Sequence, residues 1–197
     1  MGFNGMFSPS AISHQPSAMT TMQLSRAILP TPLGDMLALA SETGLCALEF
    51  TGPRKRLTRL DARLARWFPP HEIVDRETPI SRRTRKWLSA YFAGTDATID
   101  EIALDMRGAE FEKRVWKALR AIPPGETTSY GAIAKALGDA GASLAVGAAN
   151  GANPVAIIVP CHRVIGSTGS LTGYGGGLDK KKWLLDHERR WRDGQLF

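Results

Sequence analysis

The chain has 197 residues, a hydrophobic fraction of 43%, a charged fraction of 22% and a formal net charge of +6. Those values describe an ordinary globular chain holding one large domain or two small ones. No apolar run approaches the eighteen or more residues of a membrane helix, and the basic balance suits a polyanionic partner.

Residues 1–25 carry no Lys or Arg, which argues against a secretory or mitochondrial targeting signal. Residues 1–22 are rich in Ser, Met, Gly and Pro and read as a flexible tail. Residues 26–50 read as two strands joined near Glu42-Thr43-Gly44, with Pro30 and Pro32 marking a turn or an edge. In the second strand Cys46, Leu48 and Phe50 alternate onto one face, so Cys46 reads as core. Leu57, Leu60, Leu64 and Phe68 fall at helical spacing, and Pro69-Pro70 stops that helix. Trp87, Leu88, Tyr91 and Phe92 form the apolar stripe of a second helix, ended by Gly94. Ile102, Leu104 and Met106 alternate with charged or small residues and read as a strand. The expected architecture is α+β: residues 23–106 as a small α/β domain with an antiparallel sheet, then residues 107–192 as a mostly helical domain.

In the second part Phe111, Val115, Leu119 and Ile122 share a helix face that Pro123-Pro124-Gly125 terminates. A Ser or Thr among Thr127, Thr128 and Ser129 can cap the next helix, with Tyr130, Ile133 and Leu137 toward the core. Gly138 to Gly141 make a short turn, and Ser143 can cap a further helix through about Asn150. Helix, short glycine-bearing turn, helix is the helix-turn-helix pattern. Ala145, Gly147, Ala148 and Gly151 make the second helix slim, and no Lys or Arg lies between Lys135 and Arg163. Such a helix lacks side chains for reading base edges, but it can press closely into a groove or pack closely on another helix.

Asn153-Pro154 is a turn signal, and Val155 to Val159 read as a buried strand. Pro160-Cys161-His162-Arg163 follows, then a glycine-rich stretch through Gly173-Tyr174-Gly175-Gly176-Gly177. A cysteine beside a histidine is a candidate nucleophile; taken alone, the pair fits a buried structural thiol as well. Two cysteines with scattered histidines give no zinc spacing, so neither metal nor cofactor is expected. A reactive Cys161 thiol points to a reducing, cytoplasmic setting.

The ordered series Asn153-Pro154, Pro160-Cys161-His162-Arg163-Val164-Ile165-Gly166, Gly173 to Leu178 and Trp183-Leu184-Leu185-Asp186-His187-Glu188 resembles the O6-alkylguanine-DNA alkyltransferases. These one-shot repair proteins move an alkyl group from guanine onto a cysteine. The resemblance is close from Arg107 to Glu188 and looser from Ala27 to Met106. It implies Cys161 as acceptor, His162 as proton relay through a water, and Glu188 as the carboxylate orienting the histidine. It further implies Tyr130 as donor to the departing base and Asn153 as brace of the active-site turn. Tyr174, Gly175 and the carbonyl of Val164 would line the guanine pocket.

The same resemblance implies that the slim helix enters the minor groove of double-stranded DNA with little sequence preference, and that the target nucleotide is flipped out. Ser143, Ala145, Gly147, Ala148 and Gly151 would meet the groove, with Lys135 and Arg163 toward phosphates. Lys117 and Lys180 would join them. The family usually carries an arginine where this chain has Leu144, which predicts weakened DNA binding and base flipping with intact chemistry. A monomer is expected, with assembly on DNA left open. The sequence also fits two other readings: a non-catalytic binder of damaged DNA, which needs no Cys161, and a Cys–His–Glu hydrolase of small amides or esters.

Overall fold

The computed structural model describes residues 21–52, 54–68, 70–95 and 102–195. Residues 1–20 of the expected tail and the stop at Pro69 lie outside the described residues, whereas Met22, expected in that tail, begins the first strand. Four strands form the first sheet: β1 (Met22–Leu29), β2 (Met36–Ala40), β3 (Leu45–Phe50) and β4 (His71–Asp75), in the order β3-β2-β1-β4. Residues 26–50 hold parts of three antiparallel strands rather than the expected two: the join at 42–44 lies between β2 and β3, and Pro30 and Pro32 fall in a further turn between β1 and β2. After the crossover helix α1 (Arg54–Trp67), β4 joins the free edge of β1 in parallel.

β3 is buried at all six positions, because α1 covers one face and the large core the other. Its alternation is broken by a bulge. Leu39 pairs with Ala47 but Ala40 pairs with Leu45, so Cys46 is the extra residue. Cys46 therefore packs with Leu60, Leu64 and Phe68 of the α1 side, whereas Leu48 and Phe50 belong to the larger core. The expectation of one shared face is corrected, while the placement of Cys46 in a core holds.

Helix α2 (Pro79–Ala93) starts at a capping box, in which Thr78 and Ser81 exchange side-chain-to-backbone hydrogen bonds. It ends at Gly94, left-handed at φ 69°. Its buried stripe includes Trp87, Leu88 and Tyr91, as expected. The segment 102–106 is not a strand. It makes one isolated bridge, Leu45 with Leu104, through Leu45 N–H to Ala103 O at 2.8 Å and Asp105 N–H to Leu45 O at 3.0 Å. Gly44 permits this crossing, since a Cβ there would lie 2.6 Å from Asp105 N.

The second half comprises α3 (Glu110–Arg120), a two-residue β5 (Thr128–Ser129), α4 (Tyr130–Ala136), α5 (Ser143–Gly151), a two-residue β6 (Val164–Ile165) and α6 (Leu178–Arg192). Ser129 caps α4, its hydroxyl accepting from Ala132 N–H. Ser143 does not cap α5. It lies in the first turn, and Ala142 holds the cap position without a side-chain bond.

The apolar run 155–159 is also not a strand but a buried tight turn. Val155 bridges to Leu48, Ala156 bridges to Val159, and Ile157 sits at φ 71°, the one positive φ at a non-glycine among the described residues. Leu48 N–H donates to Pro154 O at 2.8 Å and Ala156 N–H to Leu48 O at 2.9 Å, so this turn is stitched to the outer edge of β3. One core runs through both halves, from Leu48 and Tyr91 to Val115, Val146, Ile158 and Leu184.

Candidate active site

Asn153 fixes the turn that precedes the cysteine. Its amide donates to Val159 O at 2.7 Å, and its Oδ1 accepts from Val155 N–H at 3.0 Å. Cys161, His162 and Arg163 then form one turn of 3₁₀ helix. The pair is therefore not on a strand, where neighbouring side chains would point to opposite sides. Cys161 is 3% exposed and His162 fully buried. Asn150 Nδ2 also donates to Cys161 O, at 3.4 Å. Neither Cys161 nor Cys46 is in a disulfide, and burial pushes the Cys46 thiol up to about 11, which keeps it protonated.

Glu188, from α6, is the hub. Its Oε1 lies 2.8 Å from His162 Nε2, accepts from Arg163 Nη2 at 2.8 Å and from Tyr91 Oη at 2.7 Å. Its Oε2 accepts from Arg163 Nε at 2.8 Å and Gly125 N–H at 3.1 Å. Burial works against the charge, but the neighbouring His162 and the Arg163 guanidinium hold this carboxyl well below its usual range. An ionised carboxylate can only accept, so His162 Nε2 must carry the proton. Burial pulls the His162 pKa below its ordinary value, partly offset by Glu188. The imidazole is therefore neutral, with its lone pair on Nδ1, a buried atom that makes no hydrogen bond among the described residues.

Lys181 is a second buried cation. Its ammonium donates to Val164 O and to Thr172 O, both at 2.6 Å. Burial lowers its pKa, offset in part by the charge of Cys161, and a cation of this kind favours a thiolate. Thr172 in turn donates through Oγ1 to Tyr130 Oη at 3.4 Å. Tyr130 is half-buried at the start of α4. The Tyr174 ring stands edge-on to His162, centroids 6.3 Å apart. Gly175 is half-buried beside it.

The expected site residues thus divide. Cys161, His162, Glu188, Tyr174 and Asn153 converge around one buried turn, and Tyr130 and Val164 are tied to it through Lys181 and Thr172. Arg163 does not face phosphates. It is 3% exposed, doubly bonded to Glu188, and also donates to Ile122 O. Lys180 donates to Leu33 O at 2.6 Å and lies over the Phe50 ring, so it is a link to the first half. Lys117 and Lys135 are exposed.

On α5, Leu144 is 92% exposed, and Ala145, Ala148 and Gly151 are exposed with it, Ser143 and Gly147 half-buried. Val146, Ala149 and Asn150 face inward, and Trp116 Nε1 donates to Ala149 O at 2.9 Å. Beside this face runs a groove of about 460 Å³ lined by Arg59, Arg63, Gly147, Ala148 and Gly151 among others. Sequence reasoning missed Lys181, Tyr91 and Gly125. For Lys181 a signal existed, because positions 181, 184, 185 and 188 share one helical face. Tyr91 carried no signal beyond its place in an apolar stripe.

Two family models together match nearly the whole described chain. Residues 24–106 match the 6-O-methylguanine DNA methyltransferase ribonuclease-like domain, and residues 110–190 match the DNA binding domain of the same family. A methylated-DNA–protein-cysteine methyltransferase of Mycolicibacterium paratuberculosis is 64% identical over 103 residues, 52% of this chain and 62% of that protein. The aligned part of this chain thus spans under two thirds of that relative. The like-named protein of Salmonella typhimurium is 45% identical over 161 residues, 81% of this chain and 92% of that protein. The crystal structure of Mycobacterium tuberculosis OGT in complex with DNA superposes with a TM-score of 0.69 at 39% identity, over 89% of this chain and 99% of that one. Matches of this extent, over both halves and through the buried cysteine turn, place the chain in the methylated-DNA–protein-cysteine methyltransferase family.

Proposed function

We propose that the protein repairs DNA by direct reversal, moving the alkyl group of O6-alkylguanine in duplex DNA onto Cys161 in a single irreversible turnover. The observation that carries this is the buried Cys161 beside a buried His162 whose Nε2 lies 2.8 Å from Glu188 Oε1, the geometry in which Nε2 holds the proton and Nδ1 the lone pair. That arrangement leaves a basic Nδ1 for the thiol proton and no charge on the imidazole to be neutralised first.

The chemistry is an in-line displacement. Cys161 gives its proton to His162 Nδ1, directly or through one water, and the Lys181 ammonium favours the thiolate that remains. The sulfur attacks the alkyl carbon, the S–C bond forms, and the bond from that carbon to O6 breaks with its electron pair going to guanine. Tyr130 Oη donates a proton or hydrogen bond to the departing base. Its lone pair is already engaged by Thr172, which leaves its own O–H free to aim at the base. Val164 O keeps one lone pair for the guanine amino group while Lys181 occupies the other. Tyr174 walls the pocket and Gly175 offers its backbone N–H to the base oxygen. Asn153 keeps the cysteine turn in register.

DNA meets the outer face of α5, with Ser143, Ala145, Gly147, Ala148 and Gly151 in the minor groove and Lys135 and Lys117 toward phosphates. Leu144 replaces an arginine that would bond the orphaned partner base. A leucine can act as a wedge but satisfies no polar group, so flipping is weak while chemistry is intact. Residues 23–106 act as the supporting domain and residues 107–192 as the DNA-binding and transfer domain, in a cytoplasmic monomer. Reaction with free O6-benzylguanine, which needs no flipping, separates the two steps. Wild type should react readily and Cys161→Ala not at all. Transfer by Cys161→Ala, or repeated turnover by wild type, contradicts the proposal.

A further inference from the structure

We infer that Tyr91, which comes from α2 in the supporting half, is a positioning residue of the proton relay, its hydroxyl setting how strongly Glu188 holds His162. The inference rests on the alkyl-transfer reading above. Tyr91 is 1% exposed, and its Oη donates to Glu188 Oε1 at 2.7 Å, the same oxygen that faces His162 Nε2 at 2.8 Å. Burial and the adjacent carboxylate hold the Tyr91 phenol well above its ordinary pKa, so it stays a donor throughout the working range.

The ring is fixed from several sides. Trp87 stacks on it at 5.3 Å, Phe92 and Trp191 meet it edge-on, and His187 Nε2 lies 2.8 Å from Tyr91 O. Such a clamp specifies where the hydroxyl points. It also means that removing the hydroxyl alone, as in Tyr91→Phe, leaves the packing in place.

Charged and titratable groups face the relay from four elements. From the cysteine turn come Cys161, His162 and Arg163, from α6 Glu188 and Lys181, with His187 against the Tyr91 backbone and ring, from α2 Tyr91, and from the glycine-rich loop Tyr174. Arg163 and Lys181 disfavour a proton on His162, and Glu188 favours one. Donors to Glu188 spread its charge and weaken that pull. Tyr91 is the one such donor that comes from the first half among the described residues.

Without the hydroxyl, Oε1 keeps two of its three donors and becomes more basic. Its attraction for imidazolium grows, so the His162 pKa rises and the fraction of neutral, proton-accepting His162 falls at a given pH. The single-turnover rate with O6-benzylguanine, followed from pH 5 to 9, should show its acid limb moved up by about half a unit to one unit in Tyr91→Phe. Above the limb the rate should recover toward wild type. Trp87→Phe disturbs the same packing without touching Glu188, and its limb should stay at the wild-type pH while its melting temperature falls.

An unmoved limb in Tyr91→Phe, an equal movement in Trp87→Phe, or failure of Tyr91→Phe to fold overturns the inference, the last because the hydroxyl would then be structural. Wild-type protein that takes up no benzyl group defeats the alkyl-transfer reading itself. Wild-type reaction with an unmoved limb defeats only the role of Tyr91.

Discussion

Lys181 is the residue on which several parts of the site depend. It is fully buried, and its two hydrogen bonds hold the carbonyls of Val164 and Thr172. Replacing it with Met keeps the chain's bulk but strands both acceptors. Charge-assisted bonds of this kind contribute about 1.5–3 kcal/mol each, so Lys181→Met should lower the melting temperature clearly. It should also slow alkyl transfer, because the thiolate loses a buried cation that favours it and the Val164 carbonyl its anchor. A rate at the wild-type level in folded Lys181→Met would contradict this role.

The pH dependence of stability follows from the same cluster. The His162 pKa is lowered in the fold, so the unfolded chain binds that proton more readily. Stability should therefore decline as pH falls below about 6.5, the ordinary histidine value. Glu188 is held far down, so its contribution declines progressively as pH falls below about 4.3, where the unfolded chain takes up the proton that the folded hub still refuses. Chemical denaturation from pH 8 to 3 should show both declines, and Glu188→Gln should lessen the lower one, leaving the part that Asp105 and Asp75 contribute. A stability flat across that range would contradict the assignment of charges. At the residue scale the convergence of Cys161, His162 and Glu188 on one candidate site was legible, because the three occur in a specific string. Arg163 was misread as a phosphate contact, since a guanidinium looks the same in sequence whether it meets DNA or a buried carboxylate.

At the scale of elements, α5 carries the argument about DNA. Its outer face is Leu144, Ala145, Ala148 and Gly151, and it is flat and uncharged. Leu144→Arg should tighten duplex binding and speed repair of duplex DNA, by an amount on the order of 1–3 kcal/mol in forming the flipped complex. Reaction with free O6-benzylguanine should barely change. Equal effects on both substrates would contradict the separation of flipping from chemistry. Ala148→Glu places a negative charge on the same face without touching the core and should weaken binding to any duplex.

Helices were the better-read elements, because long amphipathic stripes such as those of α2 and α3 have one solution. Two short apolar stretches were read as strands and are not. In 102–106 the chain only brushes β3 beside Gly44. In 155–159 a continuous apolar run forms a turn closed by Asn153, and periodicity cannot tell a buried strand from a buried turn. The bulge at Cys46 was invisible for a related reason: alternation carries no mark of one inserted residue.

The whole molecule combines a continuous core with a basic surface. The core joins both halves, and Tyr91, Lys180 and the Leu48–Val155 bridge cross between them. The net charge of +6 and the exposed Lys117 and Lys135 suit nonspecific attraction to phosphates. Affinity for duplex DNA should fall with salt along a log–log slope matching about three to five phosphate contacts, with little preference among undamaged sequences. A flat salt response would contradict a mainly electrostatic encounter.

On the proposed mechanism Cys161 is consumed by taking one alkyl group. Duplex DNA carrying one O6-methylguanine, mixed with excess protein, should give a single methyl gain in intact mass, mapped to Cys161 and matched in amount to the lesions repaired. Lesion loss without a gain in protein mass, a methyl on another residue, or more lesions repaired than protein molecules present would contradict the account.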